Sequence, residues 1–249
     1  MITINPVNYN KRFSEDKDAR LGNMFFQIAS VIGIAVKNGY SYGFKPWVNQ
    51  NYFKKALPGV DEKIRYGYYK NRSTYKGYDL GFCGFNVPDN VVLDGYFGSY
   101  KYFDHCREVI REFLSLKPVC KELKDCIIIQ YRNYKKESDD FYPLGRDYYE
   151  RALEELPDKK LYVITNDIKA AKEELKFKCE YLSESPLRDF YRLTQADYIV
   201  MANSTFSWWG AFLSQAETVA PKYWFDPCGN FGDCPVGNED VYLPEWVQV

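Results

Sequence analysis

Short apolar runs alternate with amphipathic stretches along the second half of the chain, and this alternation constrains the fold most strongly. The apolar runs predict strands at residues 126–131, 161–165, 179–182, 197–201 and 218–220. The stretches between them predict helices over residues 146–156, 167–177, 186–195 and 206–215. A regular alternation of strand and helix is typical of a mainly parallel sheet covered by helices. The sequence therefore predicts an α/β fold with a Rossmann-like unit in its second half.

The first half predicts a less regular α/β unit. A helix is predicted over residues 23–38, because Gly39 follows at the position where helices commonly end. A second helix is predicted over residues 99–116, since the residue before Pro118 disfavours helical backbone. Candidate strands lie at residues 40–44, 64–69 and 91–94. We expect the boundary between the two halves near residues 117–124.

Composition and charge argue against several classes of protein. The 33 basic and 34 acidic residues give a net charge of −1, without the basic surface of a nucleic-acid-binding protein. No stretch approaches the roughly 20 apolar residues of a transmembrane segment, and residues 1–20 lack the apolar core of a secretory signal. The seven cysteines have no metal-ligand spacing, which indicates reduced thiols. We therefore expect a cytoplasmic protein, and a peripheral position on a membrane is compatible with this expectation.

Polar residues follow three of the predicted strands, and one of these strand ends is typical of an anion site. Asn203, Ser204, Thr205 and Ser207 lie between the strand at 197–201 and the next helix. The first amides of a helix have no partner within it, and the helix dipole favours negative charge there. Phosphate or diphosphate suits such a site, although an ordinary helix cap without a ligand fits this segment equally well. Polar residues also occur at 130–133 and 165–167, and ligands of such sheets bind at the carboxyl ends of the strands.

Four motifs follow one another along most of the chain. They read LGNMFFQIA at residues 21–29, LDGYFGSYKYF at 93–103, NSTFSWWGA at 203–211 and APKYWF at 220–225. Each motif has low or moderate specificity alone, but their occurrence in this order is specific. Together they resemble the signatures of glycosyltransferase family 11, the α-1,2-fucosyltransferases.

This resemblance implies a GT-B-like fold, in which two Rossmann-like domains face a cleft. Residues 1–118 would form the acceptor-side domain, and residues 119–249 would bind the nucleotide sugar. The implied reaction is an inverting transfer of L-fucose from GDP-fucose to a glycan hydroxyl, without a metal ion or another cofactor. The implied partners are thus a nucleotide-sugar donor and a glycan acceptor.

The resemblance also implies which residues form the site. Arg132 and Asn23 are expected to be catalytic, with Arg132 on the donor diphosphate and Asn23 facing the cleft. The expected donor-binding residues are Gln130, Asp167, Asn203, Ser204, Thr205 and Ser207. Among these, Asp167 lies where related fucosyltransferases have a guanine-binding aspartate. Asp189 and Gly22 are expected to support the site, Asp189 behind the phosphate loop and Gly22 at a tight turn.

One segment departs from the family pattern. Where the family has His-x-Arg-Arg-Gly-Asp, residues 130–135 of this chain read Gln-Tyr-Arg-Asn-Tyr-Lys. Because arginine binds phosphate through paired N–H donors, the loss of one of two arginines should weaken or reshape the donor clamp, although Lys135 could restore the charge. Two alternatives stay open: a GT-B transferase that uses another nucleotide sugar, and a non-catalytic relative that binds a nucleotide or a glycan.

Overall fold

The chain is α/β, as the sequence predicts, and divides into two compact units. The computed structural model describes residues 1–6, 21–70, 81–133, 141–226 and 240–249, with the backbone of 74–75 and 78–79. The first unit comprises Met1–Lys117 and Glu239–Val241, and the second comprises Pro118–Asn238 and Tyr242–Val249. Among the described residues, no helix combines the length and apolar character that a membrane span requires. The five cysteines of the described part are free thiols.

The first unit contains a buried helix and a small parallel sheet. Helix α1 (Leu21–Asn38) is buried along most of its length. Gly39 follows it with a φ of +70°, which is the left-handed conformation expected at a helix end. The sheet has the order β1 (Ile2–Ile4), β5 (Val91–Asp94) and β2 (Gly67–Lys70), and all its pairs are parallel. A separate antiparallel pair is formed by β3 (Thr74–Tyr75) and β4 (Tyr78–Asp79).

The helix predicted over residues 99–116 is not continuous. Two short 3₁₀ turns, Tyr100–Tyr102 and Asp104–Cys106, precede helix α2 (Arg107–Leu114). Phe103 and Cys106 interrupt the helical backbone with φ angles of −133° and −137°. This interruption lets the backbone at Tyr102 lie directly against α1, so tertiary packing overrides the local helix preference here.

The strand predicted over residues 40–44 is also not formed as a continuous strand. Tyr42 and Phe44 make only isolated parallel bridges, to Ile2 and to Gly59. This short run pairs with two different segments of the chain, and neither segment forms a continuous ladder of backbone hydrogen bonds with it.

The second unit is a six-stranded parallel sheet with helices between its strands. Its strands are β6 (Cys126–Tyr131), β7 (Lys160–Thr165), β8 (Glu180–Leu182), β9 (Tyr198–Val200), β10 (Glu217–Ala220) and β11 (Val247–Gln248). Its helices are α3 (Arg146–Glu154), α4 (Ile168–Leu175), α5 (Pro186–Leu193) and α6 (Thr205–Ser214). The predicted strands and helices of this half agree with these bounds to within two residues at each end. The sequence analysis missed β11.

The strand order of this sheet locates the place where a ligand should bind. The order is β11-β10-β9-β6-β7-β8. Strands β7 and β8 therefore lie on one side of β6, and β9, β10 and β11 lie on its other side. Strands β6 and β9 are therefore neighbours at a topological switch point, where their following connections leave on opposite sides. Open α/β sheets bind ligands in the crevice beyond the carboxyl ends of such strands.

Alternating side chains of β6 anchor this sheet in the core. Ile127, Ile129 and Tyr131 pack on one face in a cluster with Tyr148 and Tyr149 of α3. Tyr148 is buried, and its hydroxyl donates to the carbonyl of Met201 at 2.6 Å. Because Met201 directly follows β9, this bond fixes the end of β9 to α3.

Candidate functional site

The carboxyl end of β6 brings a buried glutamine and an arginine to the switch point. Gln130 is only 3 % exposed, and its Nε2 donates to the carbonyl of Tyr131 at 3.4 Å. Its Oε1 accepts no hydrogen bond from the residues that the structure describes. A buried amide oxygen without a donor is costly, so it can accept an N–H or O–H group of a ligand or a water molecule. Arg132 follows the last residue of β6 and is partly exposed.

Asn133 links the end of β6 to the turn after β7, a role that the sequence analysis missed. Its backbone N–H donates to Oδ1 of Asn166 at 3.0 Å, and its Nδ2 donates to Oδ2 of Asp167 at 3.2 Å. Asn133 is 7 % exposed. The sequence shows polar residues beyond both strands, with Asn133 among those at 130–133 and in place of the family's second arginine. Only the strand order makes β6 and β7 neighbours, so this link could not be predicted from the sequence.

Asp167 caps helix α4 and belongs to this same link. Its Oδ1 accepts from the backbone N–H of Ala170 at 3.0 Å, and its own N–H donates to Oγ1 of Thr165 at 3.0 Å. Asp167 is partly exposed, which keeps its expected role in donor binding sterically accessible.

The start of α6 provides a helix N-terminus just beyond β9. Ser204 is the N-cap, with φ −130° and ψ 132°, and its Oγ accepts from the N–H of Phe206 at 3.3 Å. Thr205 is the first residue of the helix and is partly exposed. The helix has 10 residues, so its dipole and its first amides favour an anion at this end.

The other two polar residues of this motif lie in the interior. Asn203 is fully buried, and its Nδ2 donates to the carbonyls of Tyr142 and Trp224 at 2.9 and 2.8 Å. Ser207 is also fully buried, and its Oγ lies 2.9 and 3.0 Å from the carbonyls of Ala202 and Ser204. These bonds hold the loop in shape. The structure thus divides the four polar residues of this motif into two at the start of α6 and two in the interior.

Asp189 stabilises the beginning of α5. It is 7 % exposed, and its carboxylate oxygens accept from the N–H of Glu184 at 3.1 and 3.3 Å. The Glu184 carboxylate pairs with Arg192 at 2.5 Å and with Arg188 at 3.0 Å, and these hydrogen bonds lower the pKa of Glu184. Helix α5 packs against α6, where the rings of Phe190 and Phe206 lie 5.2 Å apart. Asp189 therefore lies in the turn that begins a helix packed against α6.

Gly22 and Asn23 lie in the first unit, whereas the other expected site residues lie in the second. Helix α1 begins at Leu21, so the predicted start at Asn23 was wrong by two residues, and Asn23 lies within the first turn. Gly22 is buried and Asn23 is partly exposed. Further along α1, Nε2 of Gln27 donates to the carbonyl of Gly95 at 2.8 Å. This bond joins the first and second of the four sequence motifs.

No group of three or more His, Cys, Asp or Glu side chains is arranged to hold a metal ion in the part of the chain that the structure describes. We expect Arg132 and the amides at the start of α6 to face an anion. Lys135, the possible substitute for a missing arginine, lies outside the described residues.

Comparison with protein families and known proteins identifies one family. The model of "Glycosyl transferase family 11" matches residues 99–249, which is more than half of the chain. The galactoside alpha-(1,2)-fucosyltransferase 2 of Oryctolagus cuniculus is 24 % identical over 270 residues, which cover 92 % of this chain and 74 % of the relative. The galactoside alpha-(1,2)-fucosyltransferase 1 of Sus scrofa is 21 % identical over 285 residues, which cover 98 % and 76 %.

Among solved structures, the chain is similar to NodZ alpha-1,6-fucosyltransferase in crystals soaked with GDP-fucose. The sequence identity is 12 % and the TM-score is 0.45, and the match covers 77 % of this chain and 88 % of that one.

Proposed function

The chain belongs to glycosyl transferase family 11, and on that premise we propose that it transfers L-fucose from GDP-fucose to a hydroxyl of a glycan. The names of its relatives support a fucosyl donor and a galactoside acceptor, because both relatives are called galactoside alpha-(1,2)-fucosyltransferases. We propose the same α-1,2 linkage for this chain, formed with inversion at the fucose carbon C1.

The observation that carries this proposal is the pair of positive groups at the switch point. Register pairs Ile129 of β6 with Val200 of β9. Arg132 and Asn203 each lie three residues beyond that pair, and Ser204 then caps α6. A guanidinium and a helix N-terminus therefore follow two adjacent parallel strands. Both are groups that proteins use to bind phosphate oxygens.

The chemistry of the transfer requires positive charge at this place. The glycan hydroxyl oxygen forms a bond to C1 of fucose while the bond from C1 to the diphosphate oxygen breaks. The bonding electrons leave with GDP, and the hydroxyl proton is released. Charge that develops on the leaving diphosphate is stabilised best by fixed donors that need no reorganisation. In our proposal Arg132 and the first amides of α6 provide this stabilisation without a metal ion.

We propose that each half of the chain binds one of the two substrates. Residues 119–249 bind the nucleotide sugar, with Arg132, Ser204 and Thr205 at the diphosphate. Asp167 accepts hydrogen bonds from the nucleotide base. The buried Oε1 of Gln130, at the end of β6, accepts one hydrogen bond from the donor. Asn203 and Ser207 act indirectly by holding the phosphate loop. Residues 1–118 bind the acceptor glycan, with Asn23 in the first turn of α1.

Calorimetric titration with GDP, UDP and GMP tests the nucleotide part of this proposal. We expect GDP to bind more tightly than UDP, which has the wrong base, and more tightly than GMP, which lacks the second phosphate. A preference for UDP would favour a transferase that uses another nucleotide sugar.

Incubation with GDP-fucose and a β-galactoside, followed by measurement of product mass, tests the reaction. We expect one added deoxyhexose, with NMR showing the linkage at O2 of galactose. Tight binding of GDP without any product would instead favour the non-catalytic relative that Asn133 and Gln130, as departures from the family motif, leave open.

A further inference from the structure

Asn133 joins the two strand ends that carry the proposed donor-binding groups. Its backbone N–H donates to Oδ1 of Asn166 at 3.0 Å, and its side-chain Nδ2 donates to Oδ2 of Asp167 at 3.2 Å. Asn133 is 7 % exposed, so water competes little for these bonds. Two hydrogen bonds from one buried residue therefore connect the end of β6 to the β7–α4 turn.

The bonds of Asn133 restrain the backbone of Arg132. On one side of it, Tyr131 is paired with Thr165 in the last rung of the β6–β7 ladder. On its other side, Asn133 is bonded to Asn166 and Asp167. The backbone of Arg132 is thus fixed at both neighbouring residues, although it lies beyond the end of the strand. A guanidinium on a fixed backbone loses less freedom when it binds an anion.

The side chain of Asn133 also helps to fix the carboxylate of Asp167. One carboxylate oxygen is fixed to α4 through the N–H of Ala170, and the other is fixed to β6 through Asn133. An arginine in place of Asn133 would bring a full positive charge to this carboxylate. The asparagine amide instead donates one hydrogen bond and adds no charge.

We propose that Asn133 is a positioning residue for the nucleotide diphosphate: its bonds to Asn166 and Asp167 hold Arg132 in the arrangement that binds the two phosphates. In this chain the second arginine of the family motif is thus replaced by a residue that orients the first. The inference rests on the proposed function, since it takes a nucleotide diphosphate as the ligand of this site.

Substitution of Asn133 tests the inference when GDP and GMP affinities are both measured. Asn133→Ser and Asn133→Ala each remove the amide that reaches Asp167. We expect the affinity for GDP to fall about tenfold, because Arg132 would then have to be ordered when the ligand binds. The affinity for GMP should fall less, so the preference for GDP over GMP should shrink. Asn133→Ser provides a milder variant should the alanine protein not fold.

Asn38→Ala is a matched control. Nδ2 of Asn38 donates to the carbonyls of Ile34 and Phe85 at 2.9 and 3.0 Å, within the first unit. This variant loses both bonds of its amide, whereas the Asn133 variants lose one, and it should lower the melting temperature. It should keep the wild-type preference for GDP over GMP.

Each outcome of this experiment separates the inference from the proposed function. If wild-type protein prefers GDP and the Asn133 variants lose GDP and GMP affinity by equal factors, Asn133 is only a structural residue and the inference alone is overturned. An unchanged GDP affinity in Asn133→Ser would also overturn the inference alone. If wild-type protein binds none of GDP, UDP and GMP, the proposed function fails, and the inference fails with it.

Discussion

Arg132 combines two properties at the end of β6. Its guanidinium offers paired N–H donors, and its backbone lies between two residues held by hydrogen bonds. Partial exposure leaves the side chain accessible to a ligand. These properties suit a group that must meet a diphosphate in one orientation.

Arg132→Ala should therefore abolish transfer without unfolding the protein. Loss of one fixed donor to a developing oxyanion typically lowers the rate by about a hundredfold or more. Arg132→Lys keeps a positive charge but lacks the paired N–H donors, so it should recover only part of the activity. The measurement is kcat/KM for GDP-fucose alongside circular dichroism. An alanine variant that folds and transfers at the wild-type rate would remove Arg132 from the mechanism.

Asn203 illustrates how a residue in a motif can act through the loop around it. Its amide bonds the carbonyls of Tyr142 and Trp224, which belong to two segments far apart in the sequence. The residue is fully buried, and its bond to Trp224 is buried, whereas its bond to Tyr142 is partly buried.

Asn203→Ala should destabilise the protein by about 2–3 kcal/mol, because it removes two hydrogen bonds and leaves the carbonyl of Trp224 with a longer bond of 3.4 Å from the N–H of Tyr142. Ser207→Ala removes a single buried hydroxyl and should cost about 1 kcal/mol. Urea unfolding measures both values. A fall in GDP affinity with no loss of stability in Asn203→Ala would contradict the supporting role and would indicate direct contact with the donor.

At the scale of elements, helix α1 lies directly against the 3₁₀ turn at Tyr100–Tyr102 in the first unit. A Cβ atom added at Gly33 would lie 2.1 Å from the carbonyl oxygen of Tyr102 and 2.7 Å from Cα of Phe103. The neighbouring atoms are backbone and cannot move aside easily. Glycine at this position therefore allows the second sequence motif to lie directly on the helix of the first.

Gly33→Ala should destabilise the protein by at least about 2 kcal/mol, although alanine is the better helix former, because overpacking outweighs helix propensity. Gly59→Ala is the matched control, since a Cβ at Gly59 meets nothing within 4 Å and its φ lies outside the left-handed range. Chemical denaturation of both variants provides the comparison. Equal stabilities would show that α1 and the turn can separate without cost.

For the whole molecule, the two units should respond differently to nucleotide. A ligand that binds only the native state at 100 times its Kd stabilises that state by about 2.7 kcal/mol. In our proposal the nucleotide that provides this stabilisation contacts the ends of β6, β7 and β9.

Hydrogen–deuterium exchange with saturating GDP should therefore show slower exchange at residues 130–133, 165–170 and 204–208. Exchange in β1 and along α1 beyond its first turn should change much less. Protection confined to the first unit would contradict the assignment of the nucleotide to residues 119–249.

The sequence by itself determined most of the second unit. Apolar runs such as Cys126–Tyr131 must be buried on both faces, and a strand in a parallel sheet is the element that permits this. The helices followed from the amphipathic stretches between these runs, and the structure shows that Asp167 and Ser185 cap two of them. These signals are local, so they can be detected without knowledge of the fold.

Only the tertiary structure decided how the polar residues of the motifs are used. Asn203 and Ser204 are adjacent and equally polar, yet one bonds two distant loops while the other caps α6. Asn133 gained its role because β7 is the neighbour of β6, a pairing that depends on strand order. Hydrogen-bond partners far apart in the sequence are set by how the elements pack, and no local pattern of residue types contains that information.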